Sequence, residues 1–379
     1  MSRTKLSLCM IVRNEADVIE RCLASVAGVV DEMVVVDTGS QDSTPDIARS
    51  AGAEVYRYPW TGSFADARNY SLGRANGEWI LWMDADEALQ AGDGELLRDA
   101  IETTKAELLL VETIHYVGGG PPDPNRCYTL AHHRLFRNRE HICFSRTVHE
   151  QLMIGGGIRL EPGTIPGILP IRIHHYGYLE EAVERRQKSL RNIEMLVAEK
   201  NAGGCAWTDY HLAAELHRAG NESEAFALVN EAIVGFLASG QLPPSIVYRL
   251  KYEIMIAHGS FAGAWPGIEK AIALYPDYVD LHFYKGIILL LLERYEQALA
   301  AFETCRRMGE RCSLHLSRRG CGSFYADYYI GRCYEKMSAA ECAREAYARA
   351  LSAFPDLDEA AEGLSRIEGE RGEGTYAAG

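Results

Sequence analysis

The chain has 379 residues, of which 39 are Lys or Arg and 53 are Asp or Glu, so its formal net charge is −14 at pH 7. Its length predicts two domains, and its content of 47% hydrophobic and 24% charged residues is that of a globular protein rather than a disordered one. The acidic balance argues against broad electrostatic binding to nucleic acid or to an anionic membrane, because such partners need a surplus of basic side chains.

The N-terminal part alternates apolar strands with amphipathic helices. Strands are expected at Leu6–Val12, Met33–Val36, Glu54–Tyr58 and Trp79–Met83, with helices after Asn14, from Thr44 to near Gly52, and at Phe64–Arg74. Asn14 is expected to cap the first of these helices. Fully apolar strands predict a parallel sheet covered on both faces, in which ligands bind beyond the carboxyl ends of the strands. The polar residues expected at that edge are Asn14, Glu15, Asp37, Asp84 and Asp86.

From about Leu108 the pattern changes to short strands separated by glycine-rich breaks at 118–122 and 155–157. The segment Arg134–Arg137 and the segment that ends at His149 and Glu150 are expected at the margin of the sheet. His174 and His175 are expected to follow a strand and to precede a helix at 179–200, after which residues 201–204 form a linker.

The C-terminal half consists of a repeated helical unit. Ala264 and Ala298 are equivalent positions 34 residues apart, and Ala343 follows 45 residues later, so the loop at 309–320 absorbs an insertion of 11 residues. Small residues at the helix crossings resemble the tetratricopeptide pattern, which implies a helical superhelix with a concave face. The predicted organisation is therefore a first domain at 1–204, repeats at 205–368 and a flexible tail at 369–379.

No segment is long and apolar enough to predict a transmembrane helix, since the longest apolar run covers only 286–292. The first strand lacks a small-residue cleavage site, so it is not interpreted as a signal peptide, and we expect the protein in the cytoplasm. The ten cysteines contain no Cys-x-x-Cys pair and are expected to be mostly reduced and buried. A zinc site at Cys305, Cys312, Cys321 and His315 is disfavoured by its irregular spacing.

Two carboxylates, Asp84 and Asp86, are separated by one residue at the end of a strand, which places them on the same side. Their repulsion is tolerable if a divalent cation with oxygen ligands, Mg²⁺ or Mn²⁺, lies between them and binds a diphosphate. The alternative is a solvated acidic turn in which Asp86 caps the next helix. Asp37 closes a neighbouring strand and could bind a nucleobase or ribose, or could instead accept hydrogen bonds within its own turn.

As a set, these residues resemble the family-two inverting glycosyltransferases of the GT-A fold. The similarity covers roughly residues 5–180, and the segments that carry it are Ser7–Glu15, Val34–Thr44, Arg68-Asn69 and Trp79–Glu87. It implies an α/β fold with a Rossmann-like, mostly parallel sheet, followed by the all-α repeats. It also implies that Asp86 is a catalytic residue that binds the metal. The nucleotide-binding positions that it implies are Ile11, Arg13, Glu15, Asp37, Arg68, Asp84 and Ala85.

Three further motifs, Arg134–Asn138, His149-Glu150 and His174-x-Tyr176-Gly177-Tyr178, resemble those of a branch in which this domain is fused to tetratricopeptide repeats. That branch includes bacteriocin peptide S-glycosyltransferases. Glu150 is the candidate base that deprotonates the acceptor, with a salt bridge to Arg134 or Arg137 as the alternative. His174 or His175 is a candidate metal ligand, with a structural histidine hydrogen-bonded to the backbone as the alternative. The common Glu-Asp base motif is absent, and the segment 187–191 lacks the Trp of the family's Gln-x-x-Arg-Trp motif.

The expected activity is transfer of a hexose, with inversion at C1, from a nucleotide sugar that is most plausibly a UDP-hexose, assisted by Mn²⁺ or Mg²⁺. The expected acceptor is a peptide, a protein or a glycan, with a cell-surface glycan or a lipid as the alternative, and the repeats could also mediate homo-oligomer formation. Two alternatives are a non-catalytic repeat scaffold with a degenerate first domain and a nucleotidyltransferase. The intact acidic residues disfavour the first. The absence of a Gly-rich basic loop after the first strand disfavours the second.

Overall fold

The computed structural model describes residues 5–155, 168–179, 188–311 and 314–374. The chain divides into two compact units, Met1–Glu199 and Lys200–Gly379. The domain boundaries at residues 204 and 368 stay predictions. Within the described ranges, no helix has the length and hydropathy needed to cross a bilayer.

The first unit is built on a mixed, mostly parallel sheet. Its strands are β1 (Leu6–Val12), β2 (Glu32–Asp37), β3 (Glu54–Arg57), β4 (Trp79–Trp82), β5 (Glu87–Leu89), β6 (Leu108–Gly118), β7 (Cys127–Arg137), β8 (Ile142–Ser145), β9 (Gln151–Ile154) and β10 (Ile168–Leu179). The strand order is β3-β2-β1-β4-β7-β6-β10-β5, and β8 and β9 form a separate antiparallel pair. β1 to β4 pair in parallel, as predicted, and β7 is antiparallel to both of its neighbours.

Helices cover both faces of this sheet. They are α1 (Ile19–Val26), α2 (Thr44–Ser50), α3 (Phe64–Leu72) and α4 (Asp93–Thr103), and a further helix, α5 (Lys188–Asn201), follows β10 along the chain. Alternate residues of one strand enter opposite cores: Leu8 packs into the cluster that contains α1 and α4 residues, whereas Cys9 packs into the cluster that contains Phe144 of β8. Burial on both faces explains why β1, β2 and β4 are almost entirely apolar.

Three local predictions are wrong. Asn14 does not cap α1, whose N-cap is Val18; Asn14 instead has a positive φ of 55°, and its side-chain oxygen accepts a hydrogen bond from the Gln41 N–H. The segment 134–137 is part of β7 in the middle of the sheet, not at its margin. His174 and His175 lie inside β10 rather than after a strand. The first part of the predicted helix, residues 180–187, lies outside the described residues.

The second unit consists of paired helices, as the repeat pattern predicts. They are α6 (Ala206–Arg218), α7 (Glu222–Ala238), α8 (Ser245–Ala257), α9 (Phe261–Ala264), α10 (Ile268–Leu274), α11 (Val279–Leu291), α12 (Tyr295–Met308), α13 (Phe324–Lys336), α14 (Ala340–Ala353) and α15 (Asp358–Gly374), with the short strand β11 (Ser317–Arg318) in the insertion. A Cβ on Gly286 of α11 would lie 2.5 Å from the Phe302 ring of α12. Gly331 of α13 lies equally close to the Tyr347 ring of α14. Small residues therefore permit the close helix contacts within each pair.

The last helix extends past the expected start of the tail, and most of the described cysteines are buried, as expected. α15 continues to Gly374, so the predicted tail begins within a helix; residues 375–379 lie outside the described part of the chain. Cys305 and Cys321 are buried in the apolar core of the repeats, as expected for reduced thiols. Cys143, Cys205 and Cys342 are exposed instead.

Candidate active site

The loops after β1 and β2 are joined by hydrogen bonds at the carboxyl edge of the sheet. Asp37, the last residue of β2, is buried, and its Oδ1 accepts the Ser40 N–H at 2.9 Å. The Ser40 hydroxyl in turn accepts the Asn14 N–H at 2.9 Å. Asp37 therefore accepts a hydrogen bond within its own turn, as the alternative to a nucleotide-binding role predicted. This hydrogen bond uses only one of its two carboxylate oxygens.

The predicted nucleotide-binding positions of the first strand lie beside this turn. Ile11 is half-buried, Arg13 is exposed, and the Glu15 N–H donates to the Thr44 hydroxyl at 2.7 Å. They therefore lie next to Asp37, as the strand pairing of Val12 with Asp37 requires. Ala85 differs, because its methyl group is buried in the core on the α1 side of the sheet. Only its backbone is in a position to contact a ligand.

The negative charge of Asp84 is balanced by an arginine side chain. The Arg68 side chain projects from α3 and donates from Nη2 to Asp84 Oδ1 at 2.7 Å, while its Nε pairs with Glu150 Oε1. The Arg68 guanidinium lies 4.4 Å from the centre of the Trp82 ring. Burial raises the pKa of the Asp84 carboxyl, but the charges of Arg68 and Arg134 outweigh burial and hold that pKa below its usual value. Asp84 is therefore an anion that already has a cationic partner.

Glu150 precedes β9 and is brought to Arg68 by the position of the β8–β9 pair. Asn69, next to Arg68 in α3, fixes that pair because its amide exchanges two hydrogen bonds with the backbone of Phe144, at 2.7 and 2.8 Å. The Glu150 side chain is only 12% exposed. The predicted alternative of a salt bridge is correct in kind, but the partner is Arg68. Arg134 pairs with Glu87, and Arg137 donates to backbone carbonyl oxygens.

Glu87 and Arg134 form a buried pair beneath the acidic turn that sequence reasoning missed. Arg134 Nη2 donates to Glu87 Oε1 at 2.5 Å, and Glu87 Oε2 accepts the Asp84 N–H at 2.8 Å. Burial raises the pKa of Glu87 to about 8, although the Arg134 charge opposes this shift. The pair fixes the backbone that carries Asp84. The sequence feature that could have indicated this pair is Glu87 itself, an acidic residue that directly follows Asp84-Ala85-Asp86.

The structure brings one histidine of the pair to Asp86 and turns the other away. His175 Nε2 lies 3.5 Å from Asp86 Oδ1, and both side chains are buried. A Cβ on Gly177 would overlap Asp86 Oδ2 and would lie 2.8 Å from His175 Nε2, so glycine makes room for this approach. His174 points to the other face of β10, where its ring nitrogens contact Gln90 at 2.6 Å and Tyr116 at 2.8 Å. His174 therefore has a structural role, but its partners are side chains rather than the backbone groups that were expected.

Asp86 and His175 have the chemistry of a divalent-cation site. A carboxylate and an imidazole nitrogen that approach each other at one edge of a sheet suit Mn²⁺ or Mg²⁺, which complete their coordination with water and substrate phosphates. Across the described residues, no group of three His, Cys, Asp or Glu side chains could enclose a metal. The fit therefore depends on these two residues. β5 follows Asp86 directly, so the alternative of Asp86 as a helix cap does not apply.

A mostly parallel, doubly covered sheet with acidic residues at its carboxyl edge defines a GT-A glycosyltransferase domain, here followed by helical repeats. The "Glycosyl transferase family 2" profile matches residues 7–153, and a tetratricopeptide repeat profile matches 268–300. A TPR repeat-containing protein of Synechococcus elongatus is 32% identical over 317 residues, which are 78% of this chain and 75% of that protein. The chain therefore belongs to the family 2 glycosyltransferases that carry C-terminal tetratricopeptide repeats.

Two other relatives are named as glycosyltransferases. Glycosyltransferase SunS of Bacillus subtilis is 25% identical over 294 residues, which are 74% of this chain and 66% of that protein. An uncharacterized glycosyltransferase of Rickettsia bellii is 41% identical over 98 residues, which are 26% of this chain and 32% of that protein. The chain thus aligns with less than two thirds of the length of the Rickettsia protein, and with just under two thirds of SunS.

Proposed function

We propose that this glycosyltransferase moves a hexose from a UDP-sugar to an acceptor with inversion at C1, and that it uses Mn²⁺ or Mg²⁺ bound by Asp86 and His175. The observation that carries the proposal is the approach of Asp86 Oδ1 and His175 Nε2 to 3.5 Å at the carboxyl edge of the sheet. When bound, the cation would neutralise the charge that develops on the departing diphosphate.

Asp37 and Asp84 are assigned to the nucleoside. The Asp37 hydrogen bond to its own turn engages Oδ1, which leaves Oδ2 to accept from a nucleobase N–H or a ribose hydroxyl. Asp84 keeps a side-chain exposure of 36%, so it remains accessible beside its Arg68 contact. The ion pair with Arg68 holds Asp84 as a carboxylate, which is the form that accepts hydrogen bonds from ribose hydroxyls.

Glu150 is retained as the candidate base, with a sharp test against a structural role. One of its carboxylate oxygens is already paired with Arg68 Nε. Glu150→Gln separates the two roles. A base would lose about 10²- to 10⁴-fold in kcat while Tm changes little. A structural residue would leave kcat at the wild-type value and lower Tm, because Arg68 would lose an anionic partner; that result would remove Glu150 from the mechanism.

The proposed acceptor is a peptide or a protein segment. Support comes from the tetratricopeptide unit, since stacked helix pairs form extended concave surfaces suited to such ligands. Mass spectrometry of candidate peptides, incubated with the enzyme and the donor that it hydrolyses, would identify the acceptor. Transfer to a glycan and no transfer to any peptide would contradict this part of the proposal.

The deciding experiment is a screen of UDP- and GDP-hexoses for hydrolysis with Mn²⁺, with Mg²⁺ and with a chelator. Asp86→Asn should reduce metal-dependent hydrolysis at least 100-fold, and Tm measured alongside reports whether the fold is intact. Asp99→Asn is the matched control, since Asp99 is an exposed residue of α4. Full activity of Asp86→Asn, or hydrolysis unaffected by the chelator, would refute the assignment.

A further inference from the structure

A line of hydrogen bonds runs across three strands and ends at His175. His115 of β6 is the direct neighbour of His175 of β10 in the parallel register, and their Nδ1 atoms are 3.2 Å apart. His115 Nε2 lies 3.1 Å from the hydroxyl of Thr113, which lies 3.0 Å from the carbonyl oxygen of Leu130 in β7.

The chemistry of the groups fixes the direction of every proton along this line. A carbonyl oxygen can only accept, so the Thr113 hydroxyl donates to Leu130. Thr113 Oγ1 must then accept from His115 Nε2–H, and a neutral His115 has an unprotonated Nδ1. That nitrogen accepts from His175 Nδ1–H. The neutral imidazole of His175 consequently carries its lone pair on Nε2, the atom that faces Asp86.

We propose that Thr113 and His115 are positioning residues that hold His175 in its Nδ1–H tautomer, and so present the Nε2 lone pair to the cation that Asp86 binds. Only the link to the cation rests on the proposed function. The tautomer of His175 is a property of the metal-free protein. Partners of this kind fix the ring orientation and the tautomer of metal-binding histidines.

Tyr178 packs against both imidazole rings. The Tyr178 ring lies 4.7 Å from the His175 ring and 5.8 Å from the His115 ring, so it contacts the edge of the imidazole pair. A half-turn of the His175 ring would exchange Nδ1 for a carbon and would break the contact with His115.

The test compares the isosteric change Thr113→Val with Thr113→Ser, which keeps the hydroxyl. NMR of metal-free, ¹⁵N-histidine-labelled protein reports the tautomer of His175, with His175→Gln used to assign its signals. Wild type and Thr113→Ser should show the Nδ1–H tautomer, and Thr113→Val should show a mixture. Titration with Mn²⁺ followed by EPR should show about 10-fold weaker binding in Thr113→Val and near-wild-type binding in Thr113→Ser.

His115→Leu is a second variant in case Thr113→Val fails to fold, because it leaves the Thr113 contact with Leu130 in place. An unchanged His175 tautomer in a folded Thr113→Val or His115→Leu protein would overturn the inference. A mixed tautomer with unchanged Mn²⁺ affinity would overturn the link to the cation. If His175→Gln binds Mn²⁺ as tightly as wild type, the cation site is wrong, and the NMR signal still decides whether the tautomer is held.

Discussion

The close approach of Gly177 to Asp86 and His175 leads to a prediction for Gly177→Ala. The added Cβ would overlap Asp86 Oδ2 and lie 2.8 Å from His175 Nε2. The Asp86 carboxylate would have to move by about 1 Å to reach an ordinary van der Waals separation. Neither neighbour can relax easily, because Asp86 and His175 are 5% and 8% exposed. We expect Mn²⁺ affinity to fall about 10- to 100-fold, which corresponds to about 1.4–2.7 kcal/mol.

Mn²⁺ titrations followed by EPR measure this loss, and Tm from thermal unfolding reports whether the fold survives. Gly73→Ala is the matched control, since its Cβ would meet backbone oxygen atoms at the ordinary distances of 3.6 and 3.7 Å. The control should keep wild-type affinity. A folded Gly177→Ala protein with wild-type Mn²⁺ affinity would refute the reasoning, because the cation could not then lie between Asp86 and His175.

Two predictions concern stability. Arg68→Met should lower the free energy of unfolding by about 3 kcal/mol in denaturant titrations, because it removes the guanidinium that pairs with Asp84 and with the largely buried Glu150. Arg49→Met is the control: it breaks an exposed ion pair with Asp46 and should change the free energy of unfolding by less than about 0.5 kcal/mol. Burial raises the pKa of Asp280 to about 7 in the folded repeats, from 3.8, so the folded chain holds a proton that the unfolded chain releases. The contribution of Asp280 to stability should fall as pH rises from about 4 to about 7, so Asp280→Asn should make the slope of stability against pH more positive than in the wild type; equal slopes in urea titrations would contradict it.

Local sequence pattern was enough for much of the fold. The apolar strands β1 to β4, the acidic residues at their carboxyl ends and the small residues at the repeat crossings were all predicted, because burial on two faces and helix contact distances act on neighbouring residues. Pattern failed for β7, whose central position depends on antiparallel pairing with β4 and β6, strands distant in sequence. It failed for Asn14 because the side chain bonds to the next loop rather than to α1.

In the candidate site, the acidic residues could be predicted from the sequence, but the side chains that contact them could not. Asp37, Asp84 and Asp86 could be named from the sequence because each directly follows or ends an apolar strand. The pairing of Arg68 with Glu150, of Arg134 with Glu87 and of His115 with His175 joins residues 47 to 82 positions apart. No local pattern encodes such contacts, since they exist only once strands are ordered in the sheet.

The sequence by itself therefore determined the α/β architecture of the first unit, the helical repeats of the second, and the carboxyl edge of the sheet as the place of the candidate active site. Tertiary structure alone decided which histidine faces Asp86 and which arginine neutralises Asp84. The physical reason is alternation: adjacent residues of a strand point to opposite faces, so the choice between His174 and His175 depends on the register of β10 against β5 and β6.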